Sequence, residues 1–574
     1  MSDERQPMGI AMSELSALNL EAHFDAAFSA PSGTARLREM ILTLAMQGKL
    51  VAQDASDEPA SVLLEKITAE KTALVKAGKI RAPKPLPPIA DSEKPHALPS
   101  GWEWARLADF ADYNGRDNIE PSKIAKSTWL LDLEDIEKGT SRILYRAKYA
   151  ERESKSTKSM FKAGDVLYGK LRPYLDKVVV ADGDGVCTTE IVPVVPSKAI
   201  APEYLRWLLK RPGFLAHVNS LMYGVKMPRL GTDDAINSVH PLPPLAEQKR
   251  IVAKLDQMMA QCDELEKIRA RQQEKRCATQ AAALRQWLSA DDAQVRARAQ
   301  RFIAGHFEEL HVSRESVAEL RKAILQLAVM GRLVAQNASD EPASVLLGMI
   351  AAEKAALVKA GKIRAPKPLP PIAESEKPYA LPSGWEWVRL QDLLAIVTDG
   401  DHQPPPKAIK GIPFLVIGNL NTGAVVLDGC RFVPDSYYEA LDWARKPTSG
   451  DVLYTVTGSF GITIPIVTSE KFCVQRHVAI FKTTSSTPTS YLIHFLRSAE
   501  ALTYAEEIAT GIAQKTVPLT GLRDMPIALP PLAEQTRIVA KLKDLMALCD
   551  ALESRIDAAE RKQSQLLEAV AAAA

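Results

Sequence analysis

Side chains able to support catalysis or hold a metal are dispersed along this sequence rather than grouped. The nine histidines show no HExxH or HxxxH spacing for zinc. The six cysteines (Cys187, Cys262, Cys277, Cys430, Cys473 and Cys549) form no CxxC pair and suit reduced thiols. No GxxxxGK(S/T) loop is present to cradle a nucleoside triphosphate, and "ADGDGV" from Ala181 lacks a strand–GxGxxG–helix context. What does cluster is positive charge. From Arg142 to Arg172 stand nine Lys/Arg (Arg142, Arg146, Lys148, Arg152, Lys155, Lys158, Lys162, Lys170, Arg172) against three acids. Tyr145, Tyr149 and Tyr168 are interleaved, with Tyr174 just beyond. Such a run suits contact with phosphates, while a solvated basic face is the plainer account of the same charges.

Two loops sharpen that reading. "GKLRPYL" sets Lys170 and Arg172 on a turn, from which an arginine fork can reach a guanine edge. Pro173 as a rigid turn residue explains the motif equally simply. "YGVKMPRLG" sets Lys226 and Arg229 beside Gly224 and Gly231. The second half of the chain offers neutral donors instead. From Val388 to Pro531 twelve Lys/Arg meet thirteen acids, which by charge alone counts against a polyanion partner. Its loops carry Thr455, Thr457, Ser459 and Phe460 in "TVTGSFG", Gln475, Arg476 and His477 in "VQRHV", and Gln514 and Lys515 in "TGIAQKT". "DGDHQPPPK" adds His402, Gln403 and Lys407. Gln pairs bidentately with adenine, and Ser/Thr are permissive toward either base edge. Each of these residues taken singly also fits an ordinary turn or core role.

The elements that must position these loops are written twice. "LREMILTLAMQGKLVAQDASDEPASVLLEKI" from Leu37 returns as "LRKAILQLAVMGRLVAQNASDEPASVLLGMI" from Leu320. "ALVKAGKIRAPKPLPPIA" is identical at Ala73–Ala90 and Ala356–Ala373, and "LPSGWEW" follows at Leu98 and Leu381. "LPPLAEQ" then opens similar segments at Leu242 and Leu529. The stretches between agree faintly, sharing "GDVLY" at Gly164 and Gly450. This period is far longer than that of a solenoid, so it marks two paralogous domains in one frame. Trp102, Trp104, Trp385 and Trp387 recur in both copies and are expected to pack against their domain's base, since identical residues cannot read different partners.

After each "LPPLAEQ" the pattern is helical. Ile251, Leu255, Met258, Cys262 and Leu265, and in the second copy Ile538, Leu542, Leu545, Cys549, Leu552 and Ile556, recur at spacings of four and three. That is the seam of a coiled coil. A helix from Leu245 to about Leu288 would span ~65 Å at 1.5 Å per residue, matching roughly 19 base pairs of DNA. Shorter helices are predicted over Ala35–Gln47 before Gly48 and Val317–Met330 before Gly331, each glycine serving as a C-terminal cap. The proline-rich segments read as extended tethers. A chain ordered in this way can close on itself, its N-terminal helix docking where the C-terminal helix ends.

"LPSGWEW" opening a domain, "GDVLYGKLRPYLDK", "TDGDHQPPPK" and above all "LPPLAEQxRIV" closing each domain onto a helix resemble the specificity subunit of type I restriction–modification systems. The likeness covers nearly the whole chain, less clearly Met1–Gly33. It implies an α+β fold: two pseudo-symmetric target recognition domains separated by long antiparallel coiled-coil helices. The expected parts are a tail (1–33), a repeat helix and Pro-rich linker (34–95), recognition domain 1 (96–243), and central coiled-coil helices (244–338). A second Pro-rich linker (339–378), recognition domain 2 (379–531) and a C-terminal coiled-coil helix (532–574) complete them. The resemblance further implies that each domain reads half of a bipartite double-stranded DNA site in the cytoplasm, and that two methyltransferase subunits and motor-nuclease subunits are partners. This chain lacks an NPPY-like tetrapeptide, so it is expected to bind no cofactor and to be non-catalytic. S-adenosylmethionine, ATP and Mg²⁺ would act in the partners. Two readings stay open beside this one: a scaffold binding only proteins, and a methyltransferase with an unrecognised site.

Overall fold

The computed structural model describes residues 28–30, 32–78, 85–152, 155–221, 226–290, 292–402, 405–511 and 514–573. The chain divides into two compact units, Met1–Gln272 with Ala559–Ala574, and Gln273–Ala558. Each mixes sheets with helices. Among the described residues no helix is long and apolar enough to cross a membrane.

In the first unit a four-stranded sheet runs in the order Ala111–Tyr113, Ile191–Pro196, Val166–Gly169, Val178–Val180. A five-stranded sheet built around Lys158–Phe161, Gly185–Cys187 and Trp129–Leu131 lies in the same unit. The second unit repeats the four-stranded sheet as Ile396–Asp399, Val478–Lys482, Val452–Thr455, Thr463–Pro465, and adds a three-stranded one. "GDVLY" thus opens a central strand in both. It pairs with its hairpin partner at Val166↔Val180 in one copy and Val452↔Pro465 in the other. Two helices follow the sheet in each unit, Pro202–Lys210 with Pro212–Ser220 and Thr489–Leu496 with Ala499–Ile508.

The repeated motifs close each domain on itself. Glu103–Arg106 pairs antiparallel with Val239–Leu242, and Glu386–Arg389 with Pro526–Leu529, so the first and last strands of each recognition domain lie side by side. The next residues begin long helices, Leu245–Ser289 and Leu532–Ala573. Glu247 and Glu534 in their first turns are buried and accept from Trp102 Nε1 and Trp385 Nε1, both at 2.9 Å. Gln53 and Gln336 each donate to the other carboxylate oxygen at 2.7 Å. Burial pushes both carboxyls above the ordinary range, and these donated bonds oppose it. Gly48 and Gly331 sit at φ +71° and +66°, where a Cβ would meet the ring of Pro99 or Pro382 at 2.4 or 2.5 Å. Only glycine fits both the left-handed backbone and that approach. The "LPSGW" and "LPPLAEQ" motifs are therefore two sides of one joint.

Of the seam positions, Ile251, Leu255 and Cys262 in one copy and Ile538, Leu542, Cys549 and Ile556 in the other are buried. Met258, Leu265, Leu545 and Leu552 are half-buried. In the first unit the seam shares a core with Ile41, Leu42, Ala45 and Met46 of helix Gly33–Met46 and with the recognition domain. In the second it shares a core with Val317, Leu320 and Ile324 of helix Arg314–Val329. Arg38 bonds Asp263 and Glu266, and Arg321 holds Asp550 and Glu553 in the same way. The other flank of each short helix meets the far end of a long one. Phe28, Ala30, Leu37 and Met40 pack with Leu567 and Val570, while Gln280 donates to Ser316 O at 2.7 Å beside Ala283 and Leu284.

Three expectations need correction. The 339–378 segment is not a linker throughout, because Ala343–Lys359 is helical, as is its twin Ala60–Lys76. Leu346 and Ile350, four apart, are buried, and Ala and Leu, which favour helix, recur through the segment. The central 244–338 segment holds extra helices, Ala293–Gly305 and Phe307–Leu310, after Asp292 caps a new start by accepting from Gln294 N. Nor are the proline-rich segments free tethers. Arg106 donates to Pro87 O and pairs with Glu93, and Arg389 donates to Pro370 O and pairs with Glu376. The tail 1–33 lies largely outside the described residues.

Glu247→Ala should strand the Trp102 and Gln53 donors and lower stability by about 1–3 kcal/mol. Glu247→Gln, which keeps an acceptor oxygen, should cost less. Urea unfolding followed by tryptophan fluorescence checks this, and equal midpoints for the alanine variant and the parent would contradict it.

Candidate nucleic-acid interface

The loop after "GDVLY" and the loop before the closing strand are separated by more than fifty residues in each copy, yet they meet. In the first unit Leu171 bridges Arg229. Around that bridge Arg172 N donates to Pro228 O at 2.8 Å, Leu230 N to Lys170 O at 3.0 Å, and Lys170 N to Glu190 O at 3.0 Å. In the second unit Thr457 bridges Thr516. There Gly458 N donates to Lys515 O at 3.0 Å, Val517 N to Val456 O at 2.8 Å, and Val456 N to His477 O at 3.0 Å. The two sets match bond for bond. Arg172 and Gly458, which occupy the same place in this clasp, are both left-handed, at φ +51° and +70°.

The side chains mounted on the clasp do not match. The first unit carries Arg172, Glu190 and Arg229 where the second carries Gly458, His477 and Thr516. Arg229 forks onto Glu190, with Nε and Nη2 at 2.9 and 3.0 Å, so its guanidinium is held across the two loops. Arg172, Tyr174 and Lys226 are exposed, and Lys170 is half-buried. In the second unit Thr457 is buried, its hydroxyl 3.3 Å from that of Thr516. Ser459, Gln514 and Lys515 are exposed, and Lys515 reaches Glu506 at 3.3 Å. Phe460 turns partly into the core.

The "VQRHV" loop and the start of the "DGDH" loop come to the same place. Asp401 bridges Gln475, so the "DGDH" loop runs beside "VQRHV". His402 stays exposed and contacts Asp399 at 3.1 Å, and Lys407 is exposed. Gln403 lies outside the described residues. Arg476 donates to His477 Nε2 at 3.2 Å; partial burial, with Arg476 alongside, lowers the His477 pKa, which favours the neutral ring at pH 7. A neutral ring can donate from one nitrogen and accept at the other. Four loops distant in sequence thereby present Ser, Gln, His and Lys side chains together, a donor and acceptor set suited to base edges rather than to phosphate alone.

The basic run of the first unit is corrected more sharply. Lys158 is only 5% exposed on its strand, where Nζ donates to Ser156 Oγ. Arg142 pairs with Glu137, Arg146 with Asp182, and Arg152 with Asp132, Glu134 and Asp135. The acids come mainly from outside the run, which is why counting charge within it overstated the surplus. Lys155, in the middle of that run, is exposed. Missed altogether were Glu190 and Thr516. Aligning the two "GDVLY" segments and the two "LPPLAEQ" segments puts Arg229 opposite Thr516, and that alignment was the signal available.

A family model described as type I restriction modification DNA specificity domain matches residues 382–560. The specificity subunit of the type I restriction enzyme EcoEI of Escherichia coli is 34% identical over 571 residues, covering 94% of each chain. This chain belongs to the type I restriction enzyme specificity subunits. That of EcoAI, also from Escherichia coli, is likewise 34% identical, over 562 residues and 94% of each chain. A solved structure concerned with complex assembly and conformational transition of the type I R-M system aligns with a TM-score of 0.50 at 21% identity, covering 83% of this chain and 98% of that one. This last match speaks for the fold. In this specificity subunit the clasp is thus a DNA-facing candidate built twice on one backbone.

A left-handed site tolerates Gly or Asn and penalises a β-branched residue. Gly458→Asn should leave the second unit's stability nearly unchanged, and Gly458→Val should cost about 1–2 kcal/mol or more. Thermal unfolding of the two variants compares them directly; equal melting points would mean that the clasp does not hold this backbone.

Proposed function

We propose that this specificity subunit binds double-stranded DNA through both clasps, each recognition domain reading one half of a bipartite site. The observation that carries the reading is the pairing of an unchanged backbone clasp with changed side chains. Arg172 facing one half-site can fork onto guanine, while Ser459, His477 and Gln514 at the other offer neutral pairings. Lys155, Lys170, Tyr174, Lys226, His402, Lys407, Gln475, Arg476 and Lys515 surround these readers as phosphate or base contacts. Phosphate contacts fix register, and base contacts carry sequence.

In this proposal the long helices, meeting as an antiparallel coiled coil, set the unspecified spacer and dock two methyltransferase subunits. Spacing between reading elements fixes half-site separation in paired readers generally. Motor-nuclease subunits join that assembly. The chain itself is non-catalytic and holds no cofactor, and S-adenosylmethionine, ATP and Mg²⁺ act in its partners.

Enrichment of random-sequence duplexes by the assembled complex should return two unlike short motifs a fixed distance apart. Recovery of no split motif would instead describe a protein scaffold. Arg172→Ala should weaken binding by about 1–3 kcal/mol, relaxing preference at one position of one half-site. Inserting seven residues after Gln272, matched after Ala558, should lengthen the spacer by roughly three base pairs at 1.5 Å per residue and 3.4 Å per base pair. Half-site letters that change with the insertion would contradict the proposed division of labour.

A further inference from the structure

The second recognition domain spreads its exposed, carboxylate-free cations thinly: among the described residues they include Lys407, Lys410, Arg431 and Arg476, over more than a hundred residues. Its charges nearly cancel, and Lys515 and Arg445 are paired with acids. A denser group of cations stands just before it. From Lys354 to Ala373 no Asp or Glu occurs, while Lys359, Lys362, Arg364 and Lys367 are all exposed. Among the described residues no carboxylate forms an ion pair with any of these four. The segment is also fixed in place. Ile363 is buried, Gln391 Nε2 donates to Lys367 O at 3.1 Å, and Arg389 Nη2 donates to Pro370 O at 3.3 Å. Prolines at 366, 368, 370 and 371 stiffen the chain, so the cations project from an ordered strip rather than a loose tail.

The first copy supplies an internal control. Eighteen consecutive residues, Ala73–Ala90, are identical to Ala356–Ala373. On the helix immediately before, exposed positions have diverged: Glu65 against Gly348, Lys66 against Met349, Thr68 against Ala351 and Thr72 against Ala355. Time since duplication therefore does not explain the identity of the neighbouring segment, whose first copy lies partly (79–84) outside the described residues. A strip kept the same beside readers that differ must face a partner that is the same at both halves.

We propose that the strip Lys359–Lys367 binds the DNA phosphodiester backbone without regard to sequence and adds a concentrated electrostatic affinity to that of the second domain's own scattered cations. A protein partner repeated twice would also be the same at both halves. Lysine, three of the four cations here, is depleted in protein–protein interfaces, whereas Lys and Arg together make the phosphate contacts of DNA-binding proteins. The inference rests on the DNA-binding reading but not on the assignment of base readers.

The test uses the complex with its methyltransferase subunits and a variant carrying Lys359→Gln, Lys362→Gln, Arg364→Gln and Lys367→Gln. Affinity for a cognate and a random duplex is measured from 50 to 200 mM salt. Each phosphate contact contributes about 0.9 to the slope of log K against log salt. The slope should therefore fall by about 3 to 4 for both duplexes, with the preference between them unchanged. Single Lys367→Gln and Arg364→Gln variants should each lower it by about 1. An unchanged slope would overturn the proposal. So would loss of the methyltransferase subunits from the variant in native mass measurement, with the slope intact, which would assign the strip to a protein partner. A parent complex that selects no split motif would defeat the half-site reading alone, because the slope on random duplex is read independently.

Discussion

One buried hydrogen bond recurs at each joint of this molecule. The indole N–H at the start of a recognition domain is held by the carboxylate in the first turn of the helix that ends it, Trp102 on Glu247 and Trp385 on Glu534. The bond forces the first and last strands of the domain together and fixes where the long helix leaves. Gln53 and Gln336 complete the carboxylate's partners from the segment after each short helix, so three stretches distant in sequence share one acceptor. A buried carboxylate deprived of those donors costs more than the bond itself contributes, because its desolvation is then uncompensated. That asymmetry gives a physical reason for the motif's being spelled the same way twice.

With the base of each domain so constrained, its far loops are free to differ. The clasp shows how that freedom is bounded. Its backbone bonds are the same in both units, and a backbone bond is indifferent to the side chain it carries. Arginine and glutamate on one clasp, histidine and threonine on the other, change the chemistry presented without changing the path of the chain. Specificity built in this manner diverges while the fold stays put.

The frame was legible in the sequence because repetition exposed it. The seam spacing of Ile251 to Leu265, the glycines after the short helices and the strand after "GDVLY" all state a single local period or a single backbone need. The helices Ala60–Lys76 and Ala343–Lys359 are not legible there, since each buries only two large apolar residues, Leu63 and Ile67 or Leu346 and Ile350, too few to outweigh the prolines that follow. The site was legible only in fragments. Lys158 and Arg152 are indistinguishable from surface cations until the strand and the acids beside them are placed, and no sequence period reports that Arg229 would find Glu190. Charge counted along a chain measures surface only when its partners lie within the counted window.

The central claim is that one frame carries two independent readers. Replacing residues 388–525 with residues 105–238 would mount the first reader on both halves of the frame, at boundaries within the first end strand and immediately before the last. Methylation mapping of a genome exposed to the resulting complex should return a site made of the first half-site twice, with the original spacer. A site that still contains the second half-site, or a complex that assembles normally but marks no split site, would contradict the account.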